Sequence, residues 1–201
     1  MNAKITPLMA PDWSYVDKPS LERFTAADWA LLDRQREPFL AERRADQVLA
    51  MFAALRDQPS FGYAISMYRH GVQTATMMLR DGHDEETVVI GLLHDFAYDI
   101  APETHGAAAA ALFGRFASER NAFLLRTHQT FQSLHCATHP ACDPNAREQW
   151  RGHPHFAWVA DFVARYDQVA INADGPEMPL EAFQPMVHRF FQRPQRAAAD
   201  G

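Results

Sequence analysis

The order of apolar and polar positions changes character at residue 25. The preceding stretch is rich in proline and aromatics and has no period, so it reads as an arm. Thr25 is a candidate N-cap for "AADWALLDRQREPFLAERRADQVLAMFAALRD", and Pro38 predicts that this stretch divides into two helices. "ISMYRHGVQTATMMLRDG" has an amphipathic helical period closed by Asp81 and Gly82. "DEETVVIGLLHDFAYDI" has acidic residues in its first turn and an apolar interior. It predicts a buried helix that runs to Pro102.

Further helices are expected in "THGAAAAALFGRFA", capped by Thr104, in "RNAFLLRTHQTFQSLHC", in "PHFAWVADFVARYDQVAI" and in "PLEAFQPMVHRFFQ". The intervening stretches 137–152 and 174–179 read as loops. No segment sustains a period of two and no internal repeat is found, so the expected fold is all-α. The arm and first helix (residues 1–45) are expected to pack outside a helical domain formed by residues 46–201.

Composition narrows the partners. The chain has 201 residues, 47% hydrophobic and 22% charged, enough for one domain with a proper core. The net charge of −6 and the lack of a basic block argue against nucleic acid or an anionic membrane as partner. No apolar run is long enough to span a bilayer. No basic-then-apolar leader opens the chain, and there are only two cysteines, Cys136 and Cys142. A cytoplasmic monomer or homodimer is therefore expected. Lysine occurs only at Lys4 and Lys18.

The chemistry centres on "GLLHDFAYD", which places His94 and Asp95 at the end of an apolar run, where neither is cheaply buried without a partner. His70, His105, His128 and Asp167 lie on other expected helices or at their starts. These are nitrogen and oxygen donors suited to iron, manganese or zinc. Adjacent His94 and Asp95 point about 100° apart on a helix, so both reach one centre only if it is large. A metal pair bridged by Asp95 satisfies that. "CATHPAC" offers Cys136, His139 and Cys142, with His153 or His155, to zinc. These residues are evenly spaced through a proline loop, without the close pairs that structural zinc uses.

The wording "YRHGVQTATMMLRDGHDEETVVIGLLHDFAYD", then "THGAAAA", "THQTFQ" and "RYDQVA", resembles the HD-domain superfamily over roughly residues 61–191. Within it, the chain resembles a bacterial subgroup of HD phosphohydrolases. That subgroup also contains mixed-valence di-iron oxygenases that cleave the carbon–phosphorus bond of hydroxylated aminophosphonates. Inositol oxygenase is a more distant relative. The resemblance implies a helical bundle around a dinuclear site. His70, His94, Asp95 and Asp167 would hold one metal, and Asp95 would bridge to a second held by His105 and His128.

Positions three and four residues from each ligand on its helix carry no cation. A phosphohydrolase usually brings cations to the phosphate. The pattern favours an oxygenase with two iron ions that uses dioxygen to oxidise a small hydroxylated polar molecule, such as a phosphonate or a related compound. The alternative is a phosphohydrolase for a small phosphoester or nucleotide, with manganese or zinc. Asp95 is the expected catalytic bridge. Tyr63, in "FGYAIS", corresponds to a mobile tyrosine near the first histidine of the phosphonate-cleaving relatives. Gln132 stands where those relatives have a lysine. Gln132, His135 and Tyr98 are the expected substrate contacts.

Overall fold

The computed structural model describes residues 13–196, and among these every regular element is helical. In chain order the α-helices are α1 (Ala26–Ala54), α2 (Met67–Arg80), α3 (Glu85–Leu93), α4 (His105–Phe113), α5 (Glu119–Gln132), α6 (Phe156–Phe162) and α7 (Gln184–Phe191). Three short 3₁₀ turns, Leu21–Arg23, Ala146–Trp150 and Leu180–Ala182, and one π-helical turn, Val163–Asp167, complete the set. The chain divides into two compact units, one ending at Arg44 and the other starting at Ala45. Lys4 lies outside the described residues.

In the first unit, Thr25 and Asp28 form a reciprocal cap. The Asp28 carboxylate accepts from the Thr25 amide at 2.6 Å, and the Thr25 hydroxyl faces the Asp28 amide. Lys18 pairs with the same carboxylate. Trp13 packs edge-on against Phe39, and Gln35 exchanges two hydrogen bonds with the Ser14 backbone, so the described part of the arm lies back along α1. Pro38 does not divide the helix: α1 runs through it. The ring removes one amide donor, and Arg34, whose carbonyl it leaves free, is exposed to water.

In the second unit, α2 packs against α3, α4 against α5, α5 against α6, and α3 against α7. Helix α3 is buried from Thr87 to Leu93 on every side, which explains its continuous apolar run. Helix α2 is capped by Ser66 and ends at Asp81, with Gly82 at φ +80°, the left-handed residue that glycine adopts freely. The expected helix up to Pro102 is shorter in the structure. It stops at Leu93, and tight turns carry the chain from His94 to Ala101. The cause is local: the His94 imidazole donates from Nδ1 to the Gly91 carbonyl at 2.8 Å, occupying an acceptor the helix would use to continue.

Helices α2 and α3 cross closely because of two glycines. A methyl group on Gly71 would collide with the Leu92 carbonyl oxygen and come within 2.9 Å of Phe52 Cζ; one on Gly91 would collide with the Met78 thioether and come within 3.3 Å of Thr74 Cγ2, both side-chain atoms. Gly71→Ala should therefore lower the unfolding free energy by about 1–3 kcal/mol. Gly91→Ala should cost less than Gly71→Ala, because it displaces the unbranched Met78 side chain rather than a backbone carbonyl, and alanine favours helix. Urea denaturation of both variants checks this, and equal losses would refute the packing argument.

Candidate metal centre

Four histidines reach one buried point from different elements. His70 comes from the first turn of α2, His94 from the end of α3, His105 from the start of α4, and His128 from the C-terminal half of α5. Each is anchored on its outer side. The Nδ1 atoms donate to the carbonyls of Ala170 (3.0 Å), Gly91 (2.8 Å), Pro102 (2.8 Å) and Leu125 (3.0 Å) respectively. With Nδ1 carrying the hydrogen, a neutral ring presents its Nε2 lone pair inward.

The inward nitrogens crowd each other. His70 Nε2 lies 3.1 Å from His94 Nε2, and His105 Nε2 lies 3.1 Å from His128 Nε2. Two lone pairs at that distance repel unless a proton or a cation sits between them. Ligand atoms at about 2.1 Å from a shared metal and at right angles stand about 3.0 Å apart, so the spacing suits a metal.

Two carboxylates complete the cluster. Asp95 Oδ1 lies 3.0 Å from His128 Nε2, 3.2 Å from His105 Nε2 and 3.7 Å from His94 Nε2, and its Oδ2 lies 3.3 Å from His70 Nε2. Asp167 Oδ1 lies 3.5 Å from both His70 and His94. Asp167 sits in the π-helical turn after α6, an irregularity often found at functional sites. Its Oδ2 is buried and has no hydrogen-bond partner among the described residues. The donors that could hold a metal ion fall into two groups, His70 with His94, Asp95 and Asp167, and Asp95 with His105 and His128. Asp95 belongs to both. The donor chemistry, the facing lone pairs and the orphaned oxygen all fit a metal-binding site. Adjacent His94 and Asp95 can both face inward because Asp95 lies beyond the helix end.

Electrostatics show what the protein does without an ion. Burial opposes the charge on His70, but the hydrogen bond to Asp167 and the charge of Asp95 outweigh it and raise its pKa from 6.5 to about 9. His105 is raised in the same way: burial opposes, and Asp95 prevails. Burial also opposes ionisation of Asp95 and Asp167, yet the surrounding imidazoles hold both below the usual carboxylate range. A proton on His70 thus balances charge where a cation otherwise would.

The strands of chain around the cluster are pinned. Gln73, fully buried on α2, donates to the Asn172 carbonyl at 2.7 Å and to Glu177 at 3.0 Å. Arg69 pairs with Glu177, and the Thr76 hydroxyl accepts from the Met178 amide. These bonds hold the segment that supplies the Ala170 carbonyl to His70. Phe162 stands edge-on to His94 at 5.2 Å.

The other expected site residues lie further out. Tyr98 packs against the His105 ring at 5.1 Å, and its pKa is raised by burial and by the neighbouring Tyr63 hydroxyl. Tyr63 is half exposed, with its ring 6.4 Å from Tyr98, so it forms a second layer outside Tyr98. Phe61, with φ +53° and 65% exposed, also packs on Tyr98. Gln132 donates to Asp167 Oδ1 at 2.7 Å, so its side-chain amide orients a candidate ligand. His135 is exposed on the turn after α5, outside the clustered donors. His139, Cys136 and Cys142 are not among the donor groups either, and His139 Nδ1 accepts from the Ala141 amide.

Sequence reasoning missed the four carbonyl anchors and the Gln132 bond. It also missed Asp99, whose carboxylate oxygens are buried and whose pKa is raised by burial and by Asp95. Its position one helical turn after Asp95 was the available signal. No family model matches the chain, and no curated protein is significantly similar to it.

The shift at His70 fixes a pH dependence. Its proton stabilises the metal-free fold fully below pH 6.5, and that stabilisation is lost as pH rises through about 9. Over the same range a metal no longer has to displace it. The metal-free protein should therefore lose thermal stability from pH 6.5 to 9 while the stabilisation on adding metal grows. Thermal melts with and without metal across that range check it; a constant metal increment would refute it. In Gln132→Leu, metal affinity should fall about 10–100-fold, as expected when a ligand loses its orienting partner. An unchanged affinity in metal titration would return Gln132 to a substrate-contact role.

Proposed function

We propose that this chain is a dinuclear metalloenzyme of the HD-domain type, and that it is an iron-dependent oxygenase acting on a small hydroxylated polar molecule. His70, His94, Asp95 and Asp167 would hold one ion, with Asp95 shared to a second held by His105 and His128. Iron in that donor set would supply one-electron chemistry with dioxygen.

The observation that carries the reading is the buried donor cluster, in which the charges of Asp95 and Asp167 are met by imidazoles. Arg69 turns to Glu177 and the Ala173 carbonyl, Arg165 to Asp81, and Arg126 is exposed. Lys18 is committed to Asp28 in the other unit. A surface cavity of about 390 Å³ is lined by Arg115, Arg126 and Arg196, but none of the six donors lines it. Arg56 and Arg69 line another cavity, of about 360 Å³, together with Tyr63, but none of the six donors lines it; a small molecule with one chelating hydroxyl would need no such cation.

The chain's own residues shape what can approach. Among the donors Asp95 is the most exposed, at 7%, while the rest are at 3% or less. Access is therefore across Asp95, beside Tyr98. The Tyr98 hydroxyl, kept protonated by burial, can donate a hydrogen bond to a polar group of the substrate. Tyr63 and Phe61, stacked outside it, can exclude water once a substrate is bound.

The test is oxygen dependence. The protein, loaded anaerobically with ferrous iron, should bind two ions per chain and consume dioxygen in proportion to product from a panel of small 2-hydroxy acids and hydroxyphosphonates. Asp95→Ala should lose both ions and all turnover. Phosphate release from phosphoesters at full rate under argon, with manganese or zinc, would overturn the oxygenase in favour of metal-assisted hydrolysis.

A further inference from the structure

Beyond the last turn of α5 the chain folds back through successive tight turns. The Cys136 amide donates to Gln132 O, the His139 amide to Cys136 O, and the Cys142 amide to His139 O. These turns bring Cys136 Sγ to 2.8 Å from Cys142 Sγ, closer than two thiols sit by ordinary contact. Both cysteines are free and half-buried, so a small reagent can reach them. Neither is committed to a metal: the nearby His139 turns its Nδ1 to the Ala141 amide, and the three do not form a donor group. The six-residue separation and the backbone turns hold the sulfurs together, with Cys136 tied to the Gln132 carbonyl at the end of α5.

We propose that Cys136 and Cys142 form a reversible intrachain disulfide by exchange with a small-molecule disulfide. In the first step the Cys142 thiolate attacks one sulfur of the reagent, forming a mixed disulfide and releasing one small thiolate. In the second, the Cys136 thiol gives its proton to solvent and its sulfur attacks Cys142 Sγ, expelling the other small thiolate. The protein loses two S–H bonds and gains one S–S bond, while the reagent is reduced to two thiols. The order follows from the surroundings. Burial and the adjacent Cys142 push the Cys136 thiol up to about 11, so it is the poorer first attacker and the better-placed second one.

The bond would tie the loop to the end of the helix that carries His128. Cys136 lies one turn beyond Gln132, and its thiol donates to the Gln132 carbonyl at 3.4 Å. Oxidation would fasten the turn next to the residue that orients Asp167.

The experiment equilibrates the full-length chain with glutathione buffers of graded oxidised-to-reduced ratio, in native buffer and in urea, followed by acid quench, alkylation and mass analysis. The expected native product is a monomer lighter by two hydrogen atoms, with both cysteines protected. Its equilibrium constant should exceed that in urea by about tenfold or more, because the fold has already closed the loop. Cys136→Ser and Cys142→Ser should each stop at a single glutathione adduct. Equal constants in native buffer and urea, persistent double adducts, interchain dimers as the main product, or thiols that stay free in the most oxidising native buffer would each overturn the proposal.

Discussion

Four imidazoles cannot point bare nitrogens at one another unless something positive lies between them, and much of the second unit is arranged around that constraint. Each ring is held from behind by a backbone carbonyl, which fixes the tautomer and leaves Nε2 facing inward. Asp95 and Asp167 add negative charge beside these nitrogens, which strengthens the demand for a proton or a cation between them. Those carboxylates are buried and must in turn be neutralised. Protons can balance the charges, but they leave Asp167 Oδ2 without a partner. Cations satisfy the same atoms together.

The helices are placed to meet this need, and small residues permit the placement. Gly71 follows His70 and lets α2 lie against the Leu92 carbonyl. Gly106 follows His105, and a methyl group there would come within 2.9 Å of the Leu125 carbonyl oxygen and 3.3 Å of the His128 ring. The crossing of α4 and α5 is thus close because His105 and His128 must share Asp95. Packing and site are one requirement here: the carbonyl that supports His128 belongs to the residue that Gly106 allows near.

The helical class, the C-terminal end of α2 and the capping of α1 were legible because they depend on neighbours in sequence. Thr25 and Asp28, or Asp81 and Gly82, carry their meaning within four residues. The six donors were legible as a set because their order resembles a family pattern, not because spacing alone demanded it. The end of α3 was hidden because a side chain captured the Gly91 carbonyl, and a periodicity argument assigns every carbonyl to the backbone. Pro38 misled for the opposite reason: an exposed helix tolerates a lost hydrogen bond when water takes its place. The bond from Gln132 to Asp167 was hidden because its partner lies 35 residues on, out of reach of any local pattern.

Charge counting sharpens what the missing cationic side chains mean. Two carboxylates and four neutral imidazoles carry two negative charges between them. Two divalent ions would bring four positive charges and leave an excess of two in a buried place. Such a site attracts an anionic oxygen by itself, so the lack of lysine and arginine does not make it indifferent to acids. It limits reach. Only the atoms that touch the ions would be served, and the rest of the molecule would meet Tyr98, Tyr63 and Phe61. Arg56 and Arg69 line a cavity together with Tyr63, and none of the six donors lines it. A molecule of a few carbons, with one hydroxyl and one acidic group side by side, would spend all its charge on the centre. Under the proposed reading, a preference for small chelating substrates would follow from where the positive charge is confined, whichever ions the cluster held.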